Sequence, residues 1–368
     1  MIKHEFLANS PEKISQACKQ CMKGEELVLF VTGLCNKHCF YCPVSDERDR
    51  KDAIFANERP LKNDEDFESI LKEAREQNAL GMGITGGDPL VKVDRAVKFI
   101  KFMKKEFGKE FYIHLYTWGT FASKENIAKL EEAGLDEIRF HLFKDPDYSR
   151  IQPALESKLK IVVEVPCIPG QEKELVELVD FIVLQKGRIS HINLNEFEFS
   201  DSNFDDLRVK GYKQMNENTY VVKGSRELAL KILSYARSKN LNAHFCTVHA
   251  KTIVQINNRL QRRANNIKKV FETVNEGGLI EKAVIEGSNL QEHLKEIISE
   301  FGQNVYYSEK KNWLETSERL AKRIANKYKL NASRILEYPI YDPWDFEKEP
   351  ITTHEKNYSN LLQIKEKE

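Results

Sequence analysis

The stretch VTGLCNKHCFYCP, residues 31–43, brings three cysteines together directly after the apolar segment Leu27–Val31. Cys35, Cys39 and Cys42 follow the spacing C-x3-C-x2-C. Three thiolates this close can bind three irons of a [4Fe–4S] cube and leave the fourth iron open to a small chelating molecule. A zinc knuckle is the alternative, but zinc usually takes C-x2-C pairs and four protein ligands. The spacing therefore favours an iron–sulfur cluster at the end of a strand.

A second motif, Thr85-Gly86-Gly87-Asp88-Pro89, follows the short apolar stretch Met82–Ile84. Two glycines after a strand let the backbone turn sharply and present its N–H and C=O groups to a ligand. The carboxylate of Asp88 can accept hydrogen bonds from an ammonium group. Glycine–aspartate–proline runs also make ordinary turns, so this motif gains weight because it follows the cysteine-bearing strand by one predicted helix.

At these two motifs the chain resembles the radical S-adenosylmethionine (SAM) superfamily. The family's C-x3-C-x-aromatic-C loop is matched by the three cysteines with Tyr41, and its Gly-Gly-Glu-Pro turn by Gly86–Pro89. Asp88 departs from the more usual glutamate and is one methylene shorter. The run from VLFVTGLC to INLNEFEFS also looks like archaeal and anaerobe proteins described as related to the activating enzyme of pyruvate formate-lyase, a glycyl-radical enzyme.

The resemblance implies two cofactors, a reaction and a set of site residues. The three loop cysteines would bind the [4Fe–4S] cluster, and SAM would chelate its open iron. The residues expected to contact SAM are Tyr41 (adenine), Gly86, Gly87 and Asp88 (amine) and Thr117 (ribose or carboxylate). The cluster would cleave SAM reductively to a 5′-deoxyadenosyl radical, which abstracts hydrogen from an unidentified substrate. The electron would come from a low-potential donor such as flavodoxin or ferredoxin.

Short apolar, β-branched segments alternate with amphipathic segments of helical length. The predicted strands are 27–32, 81–85, 111–117, 136–142, 160–167 and 191–197, and the predicted helices are 64–78, 91–107, 123–133, 147–158 and 171–186. Asp64 is expected to start the first of these helices, and Gly134 to end the third. Strands joined by crossover helices pair in parallel with right-handed connections, so the fold class is α/β, a partial (βα)6 barrel of the radical SAM type. Functional residues should lie at the carboxyl ends of its strands.

Several polar residues on the later strands are weaker candidates for the interior of this barrel. Arg139 and His141 alternate on the fourth strand and share a face, so Arg139 could neutralise the SAM carboxylate and His141 could handle a proton. Asn193 and Asn195 are polar where a buried strand is normally apolar. They could bind substrate or satisfy each other.

Four further residues have the types that bind metal. Cys18 and Cys21 form a C-x2-C pair near the start of the chain, and Cys246 and His249 form a C-x2-H pair in AHFCTVHA, which looks like a seventh strand. Together they would supply the four ligands of a second site, for zinc or another iron–sulfur cluster. Free cysteine also behaves as a small core hydrophobe, so simple packing is the alternative.

Composition limits the classes of function. The 368 residues carry 57 Lys+Arg and 57 Asp+Glu, so no global field draws the protein toward nucleic acid or anionic lipid, and neither DNA nor membrane is an expected partner. There is no apolar run of membrane-spanning length. Seven cysteines, an odd number, argue against a disulfide framework and for a reducing cytoplasm. A cluster with an open iron further implies an anaerobic setting.

The expected domains are an N-terminal C-x2-C segment (1–25), the partial barrel (26–249) and a small C-terminal α+β appendage (250–368). A basic stretch at 251–269 is either a solvated helix face or a phosphate-binding surface. The substrate could therefore be a protein, a metabolite or, through that stretch, RNA. An alternative from a different functional class is that the chain is a non-catalytic iron–sulfur redox sensor or scaffold.

Overall fold

The structure, a computed structural model, describes residues 14–143 and 148–351. The chain divides into two compact units, one up to Arg259 and one from Leu260. Of the predicted N-terminal segment 1–25, residues 1–13 lie outside the described part, as do 144–147 and 352–368. In the described part, no helix combines the length and the apolar character that crossing a membrane would require.

A nine-stranded sheet forms the centre of the first unit. Its seven parallel strands are β1 (Glu26–Phe30), β4 (Gly81–Thr85), β5 (Tyr112–Thr117), β6 (Glu137–Phe140), β7 (Lys160–Cys167), β8 (Ile189–Glu196) and β9 (Ala243–Cys246), which lie side by side in chain order. The hairpin β2 (Ile54–Ala56) and β3 (Arg59–Leu61) adds two antiparallel strands beside β1. The sheet begins with β3 and ends with β9, as in an open barrel.

Helices cross between the parallel strands. The helices of this unit are α1 (Gln16–Met22), α2 (Phe67–Gln77), α3 (Val93–Phe107), α4 (Lys124–Ala133), α5 (Gln152–Leu155), α6 (Glu172–Leu184), α7 (Phe204–Val209), α8 (Ser225–Ser238) and α9 (Ile256–Ile267), the last of which crosses into the second unit. A π-helix, Ala250–Gln255, precedes α9. The predicted α/β partial barrel is confirmed, and the segment AHFCTVHA supplies its seventh parallel strand.

Two details of the predicted helices differ in the structure. Helix α2 begins at Phe67 rather than near Asp64, because Asp66 is its N-cap and accepts a hydrogen bond from the Ser69 amide. Asp64 instead accepts a bond from Arg95 Nε at 2.6 Å. The predicted helix at 147–158 is a 3₁₀ turn from Tyr148 followed by the single turn of α5.

Alternation along each parallel strand separates two faces of the barrel. Apolar residues on one face, such as Leu27, Ile113 and Phe140, are fully buried in one core with the helices outside the sheet. Their neighbours on the other face are polar or charged, for example Glu26 and His114. Since successive strand residues point to opposite faces, the charged row lines the barrel interior.

The second unit is an antiparallel sheet with two helices. Its strands are β10 (Thr273–Val274), β11 (Ile280–Glu286), β12 (Val305–Ser308), β13 (Trp313–Thr316), β14 (Asn331–Glu337) and β15 (Asp345–Pro350), and its helices are α10 (Leu290–Phe301) and α11 (Glu318–Tyr328). The longest path of paired strands runs β12-β13-β11-β14-β15. Strand β13 ends at Thr316, and Ser317 then caps α11 by accepting a hydrogen bond from the Leu320 amide.

Candidate cofactor site

The cysteine loop follows β1 and carries the three predicted cluster ligands. Cys35, Cys39 and Cys42 are free thiols, each half-buried. The Lys37 amide approaches Cys35 Sγ at 3.4 Å, and the Cys42 amide donates to the Cys39 carbonyl at 3.0 Å. Burial raises the pKa of all three thiols, and burial together with the neighbouring cysteines raises the pKa of Cys39 to about 11. Iron binding must therefore displace their protons.

A partly exposed ion pair between Asp52 and Arg95 holds the base of this loop. Asp52 accepts from Thr32 Oγ1 at 3.0 Å and from Arg95 Nη1 at 2.5 Å. Hydrogen bonding from Arg95 holds the pKa of the Asp52 carboxyl well below its usual range. The Gly33 amide also donates to the Lys51 carbonyl at 2.8 Å. These contacts join the two ends of the loop, so the segment that carries the cysteines is anchored at both ends.

The Gly86-Gly87 turn lies backbone to backbone against the cysteine loop. The Gly87 amide donates to the Thr32 carbonyl at 2.8 Å, and the Asp88 amide donates to the Leu34 carbonyl at 2.9 Å. A Cβ on Gly86 would lie 2.2 Å from the Thr32 oxygen, and one on Gly87 would lie 2.5 Å from the Leu34 oxygen. Only glycine allows this approach, which explains both positions of the motif.

Asp88 is fully buried behind the turn rather than exposed on a cavity wall. Its carboxylate accepts from Thr117 Oγ1 at 2.8 Å, from the Leu90 amide at 3.0 Å and from the Trp118 amide at 3.3 Å. Burial raises the pKa of Asp88 despite these donors. The carboxylate thus ties the end of β5 to the glycine turn, and its predicted contact with the SAM amine stays a prediction.

A cavity of about 310 Å³ opens between the cysteine loop and the carboxyl ends of the strands. Its wall includes the predicted residues Cys39, Tyr41, Cys42, Gly86, Gly87 and Thr117. Two aromatic residues complete this part of the wall: the Tyr41 hydroxyl lies 2.9 Å from His141 Nε2, and the His141 and Trp118 rings are 4.5 Å apart. Burial lowers the pKa of His141 to about 4, so this imidazole is neutral at pH 7.

These residues fit the two implied cofactors in chemical terms. Three thiols on one loop are the donor set of a cluster with one open iron. The adjoining cavity is of the size that small molecules occupy, and it presents backbone groups and aromatic rings. Sequence reasoning missed Trp118 as part of this wall, although Trp118 directly follows the predicted residue Thr117.

Arg139 and His141 both face the barrel interior, as their alternation indicated. Arg139 is already committed there: Nε donates to Glu137 at 2.6 Å and Nη1 donates to Glu164 at 2.9 Å. This arrangement does not support the prediction that Arg139 neutralises the SAM carboxylate, because two protein carboxylates already share the positive charge of Arg139. Asn195 likewise donates to Glu164, at 3.0 Å.

The four residues of the predicted second metal site are brought only partly together. Cys18, Cys21 and Cys246 line one cavity in the barrel interior, whereas His249 is absent from its wall. Across residues 14–143 and 148–351, no three or more His, Cys, Asp or Glu side chains form a group suited to a metal ion. The thiols of a [4Fe–4S] cube each bind a different iron and need not converge on one point. The second site therefore stays a prediction.

The basic stretch is largely paired with acids. Lys251 forms an ion pair with Glu198, and Arg259 forms one with Glu58 at 2.5 Å. Lys269, in the second unit, pairs with Glu315 at 2.5 Å. Ion pairs of this kind lower the charge available to phosphates, so the RNA alternative receives no support from them.

Together, the open α/β barrel, the three-thiol loop and the glycine turn define the class of iron–sulfur enzymes that use SAM. The chain belongs to the radical SAM superfamily: the family model of that description matches residues 29–157. A protein of Methanocaldococcus jannaschii called "Putative glycyl-radical enzyme activating enzyme" is 38% identical over 314 residues, covering 82% of this chain and 80% of that protein. The protein is therefore an enzyme whose cofactors are a [4Fe–4S] cluster and SAM.

More distant similarities cover smaller parts of the chain. The GTP 3′,8-cyclase of Aliarcobacter butzleri is 27% identical over 175 residues, which is 43% of this chain and 52% of that protein. Among solved structures, Streptococcus suis SuiB bound to S-adenosylmethionine matches with a TM-score of 0.42 and 18% identity, over 61% of this chain and 50% of SuiB. Methylornithine synthase matches with a TM-score of 0.39 and 10% identity, over 65% of this chain and 79% of its own.

Proposed function

We propose that this enzyme cleaves SAM reductively to methionine and a 5′-deoxyadenosyl radical, which takes a hydrogen atom from a substrate carbon to form 5′-deoxyadenosine. One electron from a low-potential donor such as flavodoxin or ferredoxin balances the cleavage. The observation that carries this proposal is the contact between the three-thiol loop and the Gly86-Gly87 turn at the wall of one cavity.

The chain's own residues would bind, orient and shield the cofactors. Cys35, Cys39 and Cys42 would hold three irons of the cluster. The backbone of the glycine turn would form the wall along the SAM amine, and Tyr41 would lie against the adenine. Neutral His141 keeps the Tyr41 hydroxyl in place through their 2.9 Å contact. These aromatic rings also keep water away from the reacting end of the cavity.

A second candidate function narrows the substrate to a glycyl residue of a partner enzyme. The name of the Methanocaldococcus jannaschii relative favours it. In that case a large glycyl-radical enzyme should co-purify with the protein under anaerobic conditions. RNA modification would instead require that charge reversal in the 251–269 stretch abolish tRNA binding. A non-catalytic sensor would hold the cluster without cleaving SAM.

Dithionite-dependent formation of 5′-deoxyadenosine by anaerobically reconstituted protein tests the proposal. Wild type should form the product, and Cys39→Ala should form none and hold less iron. Cys167→Ala is the matched control, because Cys167 is fully buried on β7 and does not line the cofactor cavity, and it should keep both iron and product. Product from Cys39→Ala, or none from a wild type with a full cluster and bound SAM, would contradict the proposal.

A further inference from the structure

A second cavity, of about 340 Å³, lies in the barrel interior beside the cofactor cavity. The two share several wall residues, among them Thr85, Tyr116 and Asn195. A molecule in the second cavity would therefore be a direct neighbour of one in the first. This adjacency is what a hydrogen donor for a cofactor-derived radical requires.

Helix α1 closes one side of the second cavity, with Cys18 and Met22 on the wall. The helix is fixed there by three side-chain contacts. Ser15 Oγ, its N-cap, lies 3.0 Å from Arg139 Nη2, Gln20 Nε2 donates to the Leu80 carbonyl at 3.2 Å, and the Met22 carbonyl accepts from Asn258 at 2.7 Å. The cavity is therefore bounded in size, which favours a small molecule over an extended chain.

The acidic side chains of the wall are Glu26 and Glu164, and the two wall cations, Arg139 and Lys251, are each engaged by other carboxylates as well. Arg139 is shared between Glu164, which is on the wall, and Glu137, which is not. Burial pushes the pKa of both carboxyls up, but Arg139 and the other donors outweigh it, so both pKa values lie below the usual range. Lys251, which also reaches the wall, is paired with Glu198. Among the described residues no lysine or arginine pairs with Glu26, whose neighbouring basic group is the His114 imidazole, 3.0 Å away.

Two buried oxygens on the same wall also lack hydrogen-bond donors. Asn193, 2% exposed, turns its amide nitrogen to Glu164 at 3.0 Å, and among the described residues no group donates to its Oδ1. Glu26, 6% exposed, has Oε1 3.0 Å from His114 Nδ1, but the described residues give neither atom a hydrogen bond of acceptable geometry. Unsatisfied buried acceptors are costly, so a ligand that brings donors gains from both.

Gly83 makes this arrangement possible. It lies opposite His114 across the β4–β5 pair. A Cβ on Gly83 would come within 2.7 Å of His114 Cε1. The missing side chain thus gives room to the buried imidazole, and the polar wall is built by the strand sequence rather than left over from loose packing.

We propose that the second cavity binds a small molecule bearing a protonated amine, as the substrate of the SAM-dependent reaction proposed above. An ammonium group offers three donors and no acceptor, which suits the Asn193 and Glu26 oxygens that accept no hydrogen bond from the described residues. Its positive charge would balance the Glu26 carboxylate, with which no lysine or arginine of the described residues pairs. A carboxylate would be repelled, and a neutral hydroxyl could donate to one oxygen but would leave the charge unbalanced. The inference rests on the proposed function for the reaction, but not for the binding.

A matched ligand series on the wild-type holoenzyme tests the inference without relying on any variant. n-Butylammonium, 1-butanol and butyrate have the same chain length and differ in charge. Their binding to anaerobic, cluster-loaded protein with SAM is measured by calorimetry or saturation-transfer NMR. Because charge-assisted hydrogen bonds are markedly stronger than neutral ones, n-butylammonium should bind at least about tenfold more tightly than 1-butanol, and butyrate more weakly still. Equal binding of the three, or binding of none, overturns the inference.

Two variants locate the site. Glu26→Gln keeps the size of the side chain and removes its charge, so the preference for n-butylammonium over 1-butanol should fall about tenfold. Glu25→Gln is the control, because Glu25 precedes β1 and is absent from the cavity wall. It should keep the full preference. An equal loss in both variants would place the ammonium elsewhere.

5′-Deoxyadenosine formation measured in the same samples separates the two proposals. SAM cleavage without an ammonium preference would overturn this inference and leave the proposed function standing. An ammonium preference lost in Glu26→Gln, in protein that does not cleave SAM, would support the binding site and overturn the proposed reaction.

Discussion

Replacing Arg139 by methionine tests the charged interior of the barrel. Arg139 is 4% exposed and donates to Glu137 at 2.6 Å, to Glu164 at 2.9 Å and to the Tyr116 hydroxyl at 3.0 Å. Methionine fills much of the same space but leaves two buried carboxylates without their cation. Breaking a buried ion pair in this way costs about 3–5 kcal/mol of unfolding free energy. We expect a loss in that range at neutral pH.

The pH dependence of this loss has a definite sign. In wild type the pKa values of Glu137 and Glu164 lie below the usual range, so their contribution to stability is present above the unfolded pKa and is lost as pH falls through the folded values. In Arg139→Met, burial without a cation should raise both pKa values. As pH falls, protonation of the two carboxyls then removes the unpaired buried charges of the variant. The difference in unfolding free energy between wild type and Arg139→Met should therefore shrink from pH 8 to about pH 6.

The unfolding free energy of this unit is measured separately from that of the second by urea unfolding, monitored through hydrogen exchange of peptides from β6 and β7. Arg75→Met is the matched control, because Arg75 is 64% exposed and lies 3.6 Å from Glu106. An exposed pair of this kind contributes at most about 1 kcal/mol. A loss below about 1 kcal/mol in Arg139→Met, or a loss that grows toward acid pH, would refute the reasoning.

Other changes test the glycine turn and its buried carboxylate. Thr117→Val removes the 2.8 Å hydrogen bond to Asp88 and should cost about 1–3 kcal/mol in urea unfolding, whereas Thr117→Ser should stay near wild type; a loss in Thr117→Ser with none in Thr117→Val would argue for methyl packing instead. Asp88→Asn places an amide NH₂ group next to the donors that bind the carboxylate in the wild type. SAM binding, measured by equilibrium dialysis, should therefore weaken. Unchanged binding would show that Asp88 does not contribute to the SAM site. Gly87→Ala places a methyl 2.5 Å from the Leu34 oxygen and should lower the iron content by displacing the cysteine loop. Gly277→Ala is the control, because its nearest contact would be 3.4 Å, and it should keep its iron. Full iron content in Gly87→Ala would show that the loop can shift to accept the methyl and still bind the cluster.

Local spacing was enough to predict the parts of the site that lie close in sequence. The C-x3-C-x2-C run indicated one loop, and the two-residue period of β6 indicated that Arg139 and His141 face the same way, as they do. Strand order followed from the alternation of strands and helices, because crossover connections have a fixed hand.

The remaining features depend on contacts between distant segments. Asp88 meets Thr117 and the Trp118 amide from another strand, and no period in the sequence reports that pairing. One of the contacts that hold α1 against the barrel interior joins Arg139 to Ser15, and these residues are 124 positions apart in the sequence.

The β2–β3 hairpin, three residues per strand, has a consequence for how copies of the protein meet. It covers the side of β1 that would otherwise present a row of unpaired backbone groups, and it makes β3 the outermost strand. At the centre of β3 stands Pro60, paired with Phe55. A proline has no N–H, and it is tolerated where that donor would face away from the ladder. The outer margin of the sheet therefore lacks a donor at its midpoint, and a strand from another molecule would find a broken template there.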